Sequence, residues 1–272
     1  MARPKFYRDP IHGQIRYDSV DIAVAFPGSS FEKRLGWLIR RLIDCPEFQR
    51  LRHIRQNGLA NLVFHGAEHS RFTHSMGAAY LAREMFDRIV RNSDQKPDED
   101  RLLATVAAAL LHDIGHGPFS HSLEEILDEC GVDFDHERMT VRIIEEDTQI
   151  HRILAEVDPK FPERVAAYID KEKQLDADWT YRVVSSQLDA DRLDYLMRDA
   201  RLAGLQGHGF DLPRLMDFLT QLDGERIAVD RRALEALEAY LVTLDHMYRA
   251  VYFHHTVRAA SRHLEAVLGR AV

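Results

Sequence analysis

The run HDIGHGPFSH, His112 to His121, gathers the residues of this chain best suited to chemistry. An apolar stretch, Ala104 to Leu111, ends in an adjacent histidine–aspartate pair, and two glycines, a proline and two more histidines follow at once. Imidazole nitrogens and a carboxylate can together hold a divalent cation, and the spare histidines, His116 and His121, titrate near neutrality and can move protons. Within a helix, His112 and Asp113 would point about 100° apart, so they share one ion only from a helix end. Further ligands must come from elsewhere. The candidates are His74, which follows Arg71-Phe72-Thr73, and a carboxylate of LDADRLDYLMRD, with Asp191 preferred. The set His74, His112, Asp113 and Asp191 is mixed nitrogen and oxygen, and suits one ion of Mn, Fe, Zn, Co, Ni or Mg better than a thiolate-seeking metal. The alternative for any single histidine is a hydrogen-bonded packing role; the flanking run favours the metal.

Helices must position these residues. Met76 to Val90 carries apolar residues at Met76, Tyr80, Leu81, Met85 and Ile89, a helical spacing. Leu102 to Leu111 is apolar nearly all round, which predicts a buried central helix. Ser120–Leu127, Glu137–Glu146, Glu163–Gln174 after Pro162, and Tyr181–Leu202 continue the pattern, and Leu234–Leu268 reads as one long helix with room for a kink. Strand signals are limited to Gln14–Tyr17, Leu62–Phe64 and Arg226–Val229, the last behind an Asp223-Gly224 turn signal. Phe26-Pro27-Gly28-Ser29-Ser30 reads as a loop. The fold class is mainly α with minor β pieces.

Composition narrows the function. The 272 residues are 45% hydrophobic and 29% charged, an ordinary globular mixture. The formal charge of −8 disfavours coating of nucleic acid, so an anionic substrate needs a local basic pocket or a metal. Cys45 and Cys130 form no paired-thiol motif and are expected to be idle. The N-terminal MARPKFYRDP lacks a signal core and no apolar stretch is long enough to span a bilayer, so a soluble cytoplasmic protein without a membrane partner is expected. The helical pattern still runs at Val272, shortly after Gly269, which fits either a fragment or a fraying helix.

The ordered strings DPIHG (Asp9–Gly13), DCPEFQRLRHIRQ (Asp44–Gln56), RFTHSMG (Arg71–Gly77), HDIGHGPFSH, DHE (Asp135–Glu137) and LDADRLDYLMRD (Leu188–Asp199) resemble the HD-domain phosphohydrolases, and most nearly their deoxynucleoside triphosphate triphosphohydrolase branch. The resemblance covers most of the chain up to about Gly209. It implies an HD-domain helical bundle, arranged as residues 1–60 with short strands and a helix, a catalytic core over 61–210, and a hairpin and long helix over 211–272 that complete the pocket. It implies that His74, His112, Asp113 and Asp191 are the metal ligands. His136, with Glu137 beside it, matches the catalytic histidine, and His116 and His121 match histidines that hold phosphate and water. Arg71, Arg192 and Tyr195 match phosphate contacts, Asp199 and Gln56 sugar or base contacts, and Tyr252 a tyrosine packed under the deoxyribose. Asp44, Gln49 and Arg52 match a nucleotide-activator site between subunits, or belong to a helix shared by the family for structural reasons. A homo-oligomer is implied as well.

The sequence also departs from that branch. Leu244 stands where an arginine serves the terminal phosphates, Phe253 replaces a glutamine, and Asp18–Trp37 reads as an insertion. The leading expectation is hydrolysis of dNTPs to deoxynucleoside and inorganic triphosphate. The alternatives are an HD phosphohydrolase acting on a nucleoside monophosphate or signalling nucleotide, and a non-catalytic nucleotide-binding module.

Overall fold

The computed structural model describes residues 4–270 apart from 19–20, 22–25, 27, 29, 95, 171–177 and 206–208. In chain order it forms β1 (Lys5–Asp9), β2 (Gly13–Tyr17), α1 (Phe31–Asp44), α2 (Pro46–Gln49), α3 (Arg71–Asn92), α4 (Glu99–Leu111), α5 (His121–Glu129) and α6 (His136–Glu145). There follow α7 (Gln149–Ala155), α8 (Phe161–Ala167), α9 (Trp179–Val184), α10 (Ala190–Leu202), α11 (Leu212–Asp217), β3 (Leu219–Leu222), β4 (Arg226–Val229), α12 (Leu234–Met247) and α13 (His255–Leu268). The mainly helical fold expected from the sequence is what the chain adopts.

Three helices carry the architecture. α4 is buried at every position from Leu102 to Leu111, as its all-round apolar sequence requires. It starts cleanly because the Asp98 carboxylate caps it, accepting from the Arg101 amide at 3.0 Å. α3 packs against both α4 and α10, and Gly77, Ala78, Ala79 and Ala82 keep its buried faces thin enough for the close approach. α3 and α10 begin where α4 ends. That end of the bundle therefore receives two helix N-termini and one C-terminus.

The β pieces are two separate antiparallel hairpins. β1 and β2 pair from Lys5↔Tyr17 to Asp9↔Gly13. β3 and β4 pair from Leu219↔Val229 to Leu222↔Arg226, and the connecting Asp223 and Gly224 both take positive φ, the conformation an Asp-Gly pair supplies.

Several expectations need correction or limits. Leu62–Phe64 is not a strand: Ala60–Leu62 is a short 3₁₀ turn whose amides are satisfied locally, with Val63 N–H donating to Ala60 O at 3.0 Å. Tyr181–Leu202 is two helices, because Asp189 accepts from the Ser186 amide at 2.7 Å and the Arg192 amide at 2.8 Å, which starts α10 afresh. Leu234–Leu268 is also two helices. α12 passes into a wide π turn over Tyr248–Tyr252, and α13 restarts behind His254, whose Nδ1 accepts from the Thr256 amide at 3.3 Å. The Glu163–Gln174 segment is helical as α8 only to Ala167, and positions 171–174 lie outside the described residues, as do 27 and 29 of the expected loop. The stretch read as an insertion ends inside α1, where Leu35 and Trp37 are fully buried.

Among the described residues no helix is long and apolar enough to cross a membrane. Cys45 is buried, and its thiol donates to Leu42 O at 2.9 Å, while Cys130 is exposed. Burial, aided by the charge of Glu47, pushes the Cys45 thiol up to about 12. At pH 8 the native protein is expected to react with one equivalent of a thiol reagent, at Cys130, and with two after denaturation. Two rapid equivalents in the native state would contradict this placement.

Candidate metal centre and active site

His74 lies in the first turn of α3, His112 caps the end of α4, and Asp191 lies in the first turn of α10. The three helix ends bring their ligand atoms together. His74 Nε2 is 3.2 Å from His112 Nε2 and 2.9 Å from Asp191 Oδ1, and His112 Nε2 is 3.5 Å from the same oxygen. Atoms bonded to one first-row cation at about 2.0–2.2 Å must sit roughly 3 Å apart, and these three do.

The far side of each imidazole fixes its orientation. His112 Nδ1 donates to Ala109 O at 2.8 Å, and His74 Nδ1 donates to Asp194 Oδ2 at 2.8 Å. Both Nε2 atoms therefore turn inward, and the gap between them and Asp191 demands positive charge. Burial alone would lower the pKa of His74, but hydrogen bonds to Asp191 and Asp194 override it and raise it to about 10. Without a cation, a proton fills the gap.

Asp113 borders this cluster without joining it as tightly. Its Oδ1 is 3.4 Å from His112 Nε2 and its Oδ2 is 3.8 Å from His74 Nε2. Oδ2 accepts from Arg71 Nη1 at 2.5 Å, and His116 Nε2 is 3.4 Å from Oδ1. Burial opposes ionisation here, yet Arg71, with His112 and His116, holds the carboxyl well below its usual range. Arg71 is itself fixed, since Nε donates to Ser120 Oγ at 3.0 Å. Phe119 and Ser120 both adopt positive φ to present that hydroxyl, a strained pair of non-glycine residues beside the site.

The remaining histidines form a second cluster around a residue that the sequence reading overlooked, Glu124 on α5. His136 Nδ1 donates to Glu124 Oε1 at 2.6 Å and His121 Nδ1 to Oε2 at 3.0 Å. Burial would raise the Glu124 pKa, but its bonds to His121 and His136 depress it, so the carboxylate stays ionised. His116 lies with Nδ1 3.9 Å from Glu124 Oε1, and burial lowers its pKa to about 3, so it is neutral. Its ring stacks on that of His136, with centroids 3.8 Å apart and planes 15° apart. With Glu124 they form a second group whose ligand atoms lie close enough together to hold an ion. α6 comes this close because position 115 is glycine: a Cβ there would lie 2.1 Å from His136 O.

A cavity of about 590 Å³ joins the two clusters. Its lining includes Gln56, Arg71, His112, Asp113, His116, His121, His136, Glu137, Asp191, Arg192, Tyr195, Asp199 and Tyr252. Most expected site residues thus share one space. Asp199 is buried with both oxygens engaged, accepting from His69 Nε2 and from Tyr252 OH, each at 2.7 Å. Arg192 Nε donates to Ser186 O at 3.0 Å. Gln56 Oε1 is buried without a partner. His74 is fully buried and does not line the cavity.

Asp44, Gln49 and Arg52 do not line this cavity. Gln49 is engaged within the fold, donating to Ile43 O at 2.7 Å and accepting from Arg52 Nε at 2.8 Å, while the Arg52 guanidinium lies 3.6 Å from the Phe72 ring centre. The same segment supplies another unexpected part: Arg50 binds the carbonyls of Ile114 and His116 and so fastens the histidine-rich loop. Glu124 and Arg50 carried only weak signals, a carboxylate three residues after His121 and an arginine inside a basic run.

Residues 71–196 match the family model described as the HD domain. YwfO, an uncharacterized protein of Bacillus subtilis, is 39% identical over all of this chain and 57% of its own length. The human deoxynucleoside triphosphate triphosphohydrolase SAMHD1 is 31% identical over 92% of this chain and 42% of its own. A crystal structure of a phosphohydrolase from Bacteroides thetaiotaomicron superposes with a TM-score of 0.79 at 30% identity, covering 98% of this chain and 59% of that one. The chain belongs to the HD-domain phosphohydrolase family. It spans about half the length of the curated relatives it matches.

Two outcomes are expected. Purified protein should take up one divalent ion per chain, and His112→Ala or Asp191→Ala should lose it on dialysis; full occupancy by elemental analysis in both variants would exclude the centre. Because its bonds to Asp191 and Asp194 raise the His74 pKa to about 10, an incoming cation is expected to displace a proton there. Affinity should then rise about tenfold per pH unit between pH 6 and 8 for one proton released, measured by competition with a chelator of known proton affinity. A flat profile would show that His74 binds no metal.

Proposed function

We propose that the protein is a metal-dependent hydrolase that cleaves dNTPs to deoxynucleoside and inorganic triphosphate. The observation that carries this reading is that His112 and Asp191 of the metal-facing cluster, and His136, held by Glu124, open onto one cavity. Similarity to the SAMHD1 triphosphohydrolases of human and chicken supports the choice of substrate.

A bound cation would supply polarisation of a phosphoryl oxygen and a more acidic water. His74, His112 and Asp191 would hold it, with Asp113 alongside. The protein's own groups do the rest. Arg71 and Arg192 bring guanidinium charge to where negative charge grows around phosphorus. Glu124 fixes His136 Nδ1 as a donor, which leaves Nε2 to pass a proton to the departing sugar oxygen. Attack at the α-phosphorus then frees the nucleoside and leaves the triphosphate whole. Tyr252, anchored through its hydroxyl on Asp199, offers a ring edge or face against the sugar that would exclude a ribose 2′-hydroxyl by contact. A nucleotide activator at Asp44, Gln49 and Arg52 and assembly into a homo-oligomer belong to the same reading.

One observation favours a second substrate class. Among the described residues that line the cavity, the guanidinium groups are those of Arg71 and Arg192, and each already has a carboxylate within 4 Å, Asp113 and Asp189 respectively. A phosphoester of lower charge, such as a nucleoside monophosphate, asks less of them.

Mass spectrometry of products across dNTPs, NTPs and monophosphates with Mn or Mg decides between the two. Inorganic triphosphate from dNTPs is expected; orthophosphate or pyrophosphate as the only product would sink the first reading. His136→Ala should keep its metal and lose about 10²–10⁴-fold in kcat, and unchanged turnover would remove His136 from the mechanism.

A further inference from the structure

The hairpin of β1 and β2 reaches the metal centre from behind α10. Its turn is closed by Asp9, whose Oδ1 accepts from the amides of Ile11 and His12 at 2.8 and 2.9 Å. That turn aims His12 Nε2 at Asp194 Oδ1, 2.6 Å away, and the Tyr80 ring, 5.3 Å between centroids, flanks the imidazole. Asp194 uses its other oxygen, Oδ2, to hold His74 Nδ1. Both carboxylate oxygens also receive Arg198, Nε to Oδ2 and Nη2 to Oδ1, each at 2.8 Å, and Arg198 Nη1 lies 2.9 Å from Asp9 Oδ2. The side chains of His12, Asp194 and Arg198 are 3%, 0% and 0% exposed, so each of these bonds is dry. Gly77 makes the room, since a Cβ there would stand 1.9 Å from Asp194 Oδ1.

A carboxylate can only accept, so His12 Nε2 and His74 Nδ1 must both donate to Asp194. The second bond sets the tautomer and plane of His74 and points its Nε2 at His112 and Asp191. The first bond, with the Arg198 fork, sets Asp194. With neutral imidazoles, Asp9 and Asp194 outweigh Arg198 by one negative charge. That buried excess sits one imidazole ring away from the place where a cation would lie, and a cation there would balance it.

We propose that His12 is a positioning residue for the metal ligand His74, acting through Asp194, so that the N-terminal hairpin is part of the metal centre. This rests on the reading of His74 as a ligand. A purely structural hairpin would change stability on substitution and leave metal affinity alone. A positioning hairpin changes affinity, and a replacement that keeps the N–H donor restores it.

The test compares full-length wild type, His12→Leu and His12→Gln, whose amide nitrogen can take the place of Nε2. Co²⁺ affinity is measured by chelator competition, and melting is followed on the metal-free proteins. His12→Leu is expected to bind Co²⁺ about 10–100-fold more weakly, with His12→Gln recovering most of the loss at a similar melting temperature. Wild-type affinity in His12→Leu, or equal loss in both variants, overturns the proposal. Should His12→Leu fail to fold, His12→Asn, whose amide falls short of Asp194, takes its place in the same comparison. His112→Ala is the control. If it binds Co²⁺ as the wild type does, the metal reading itself falls and takes this inference with it, an outcome distinct from a null effect at His12.

Discussion

Two imidazole nitrogens held 3.2 Å apart, facing a carboxylate oxygen, cannot be left without positive charge between them. That constraint governs the end of the bundle where α3, α4 and α10 meet. Each imidazole is locked from behind, His112 by a main-chain carbonyl and His74 by Asp194, so neither can turn away to relieve the crowding of acceptors. The helices supply the rigidity: α4 is buried along its length, and α3 and α10 clamp it from two sides.

Asp113 shows how the second half of the site is tied to the first. Its two oxygens are divided among His112, His116 and Arg71. Asp113 therefore connects the metal-facing cluster to Arg71 and to the stacked His116–His136 pair. The strained Phe119–Ser120 backbone is explained by the same link, because Ser120 must reach Arg71 Nε while also donating to Arg55 O at 3.3 Å. One carboxylate thus links the metal-facing cluster, Arg71 and the histidine cluster.

The parts of this arrangement legible in the sequence are those written locally. The histidine-rich loop lies within ten consecutive residues, α4 announces itself by an unbroken apolar run, and the Asp-Gly turn of β3–β4 is a two-residue signal. Motif order, rather than spacing, singles out His74 and Asp191. The misjudged elements are those where a polar side chain overrides a continuous helical pattern: Asp189 starts α10 by accepting two amides, and His254 does the same for α13 with one. Glu124, Asp194, Arg198 and His12 look like ordinary charged residues of amphipathic helices or a turn. Their roles rest on contacts between distant positions, as in His136–Glu124 across 12 positions and His12–Asp194 across 182, which no local pattern encodes.

The electrostatics of the cavity also bear on what a metal would contribute. Its wall presents Asp113, Glu137, Asp189, Asp191 and Asp199, against the guanidinium groups of Arg71 and Arg192, in a chain of net charge −8. Such a wall repels a phosphoester unless some of that negative charge is already answered from within. Asp199 is answered by His69 and Tyr252, Asp113 by Arg71, and Asp189 by burial together with the nearby charge of Asp191, which raise its pKa to about 7. Asp191 is answered only by the two metal-facing imidazoles. Its partners are the same two imidazoles that would face a cation, so a cation bound there would replace the His74 proton as the counter-charge to Asp191 and favour approach of an anionic substrate.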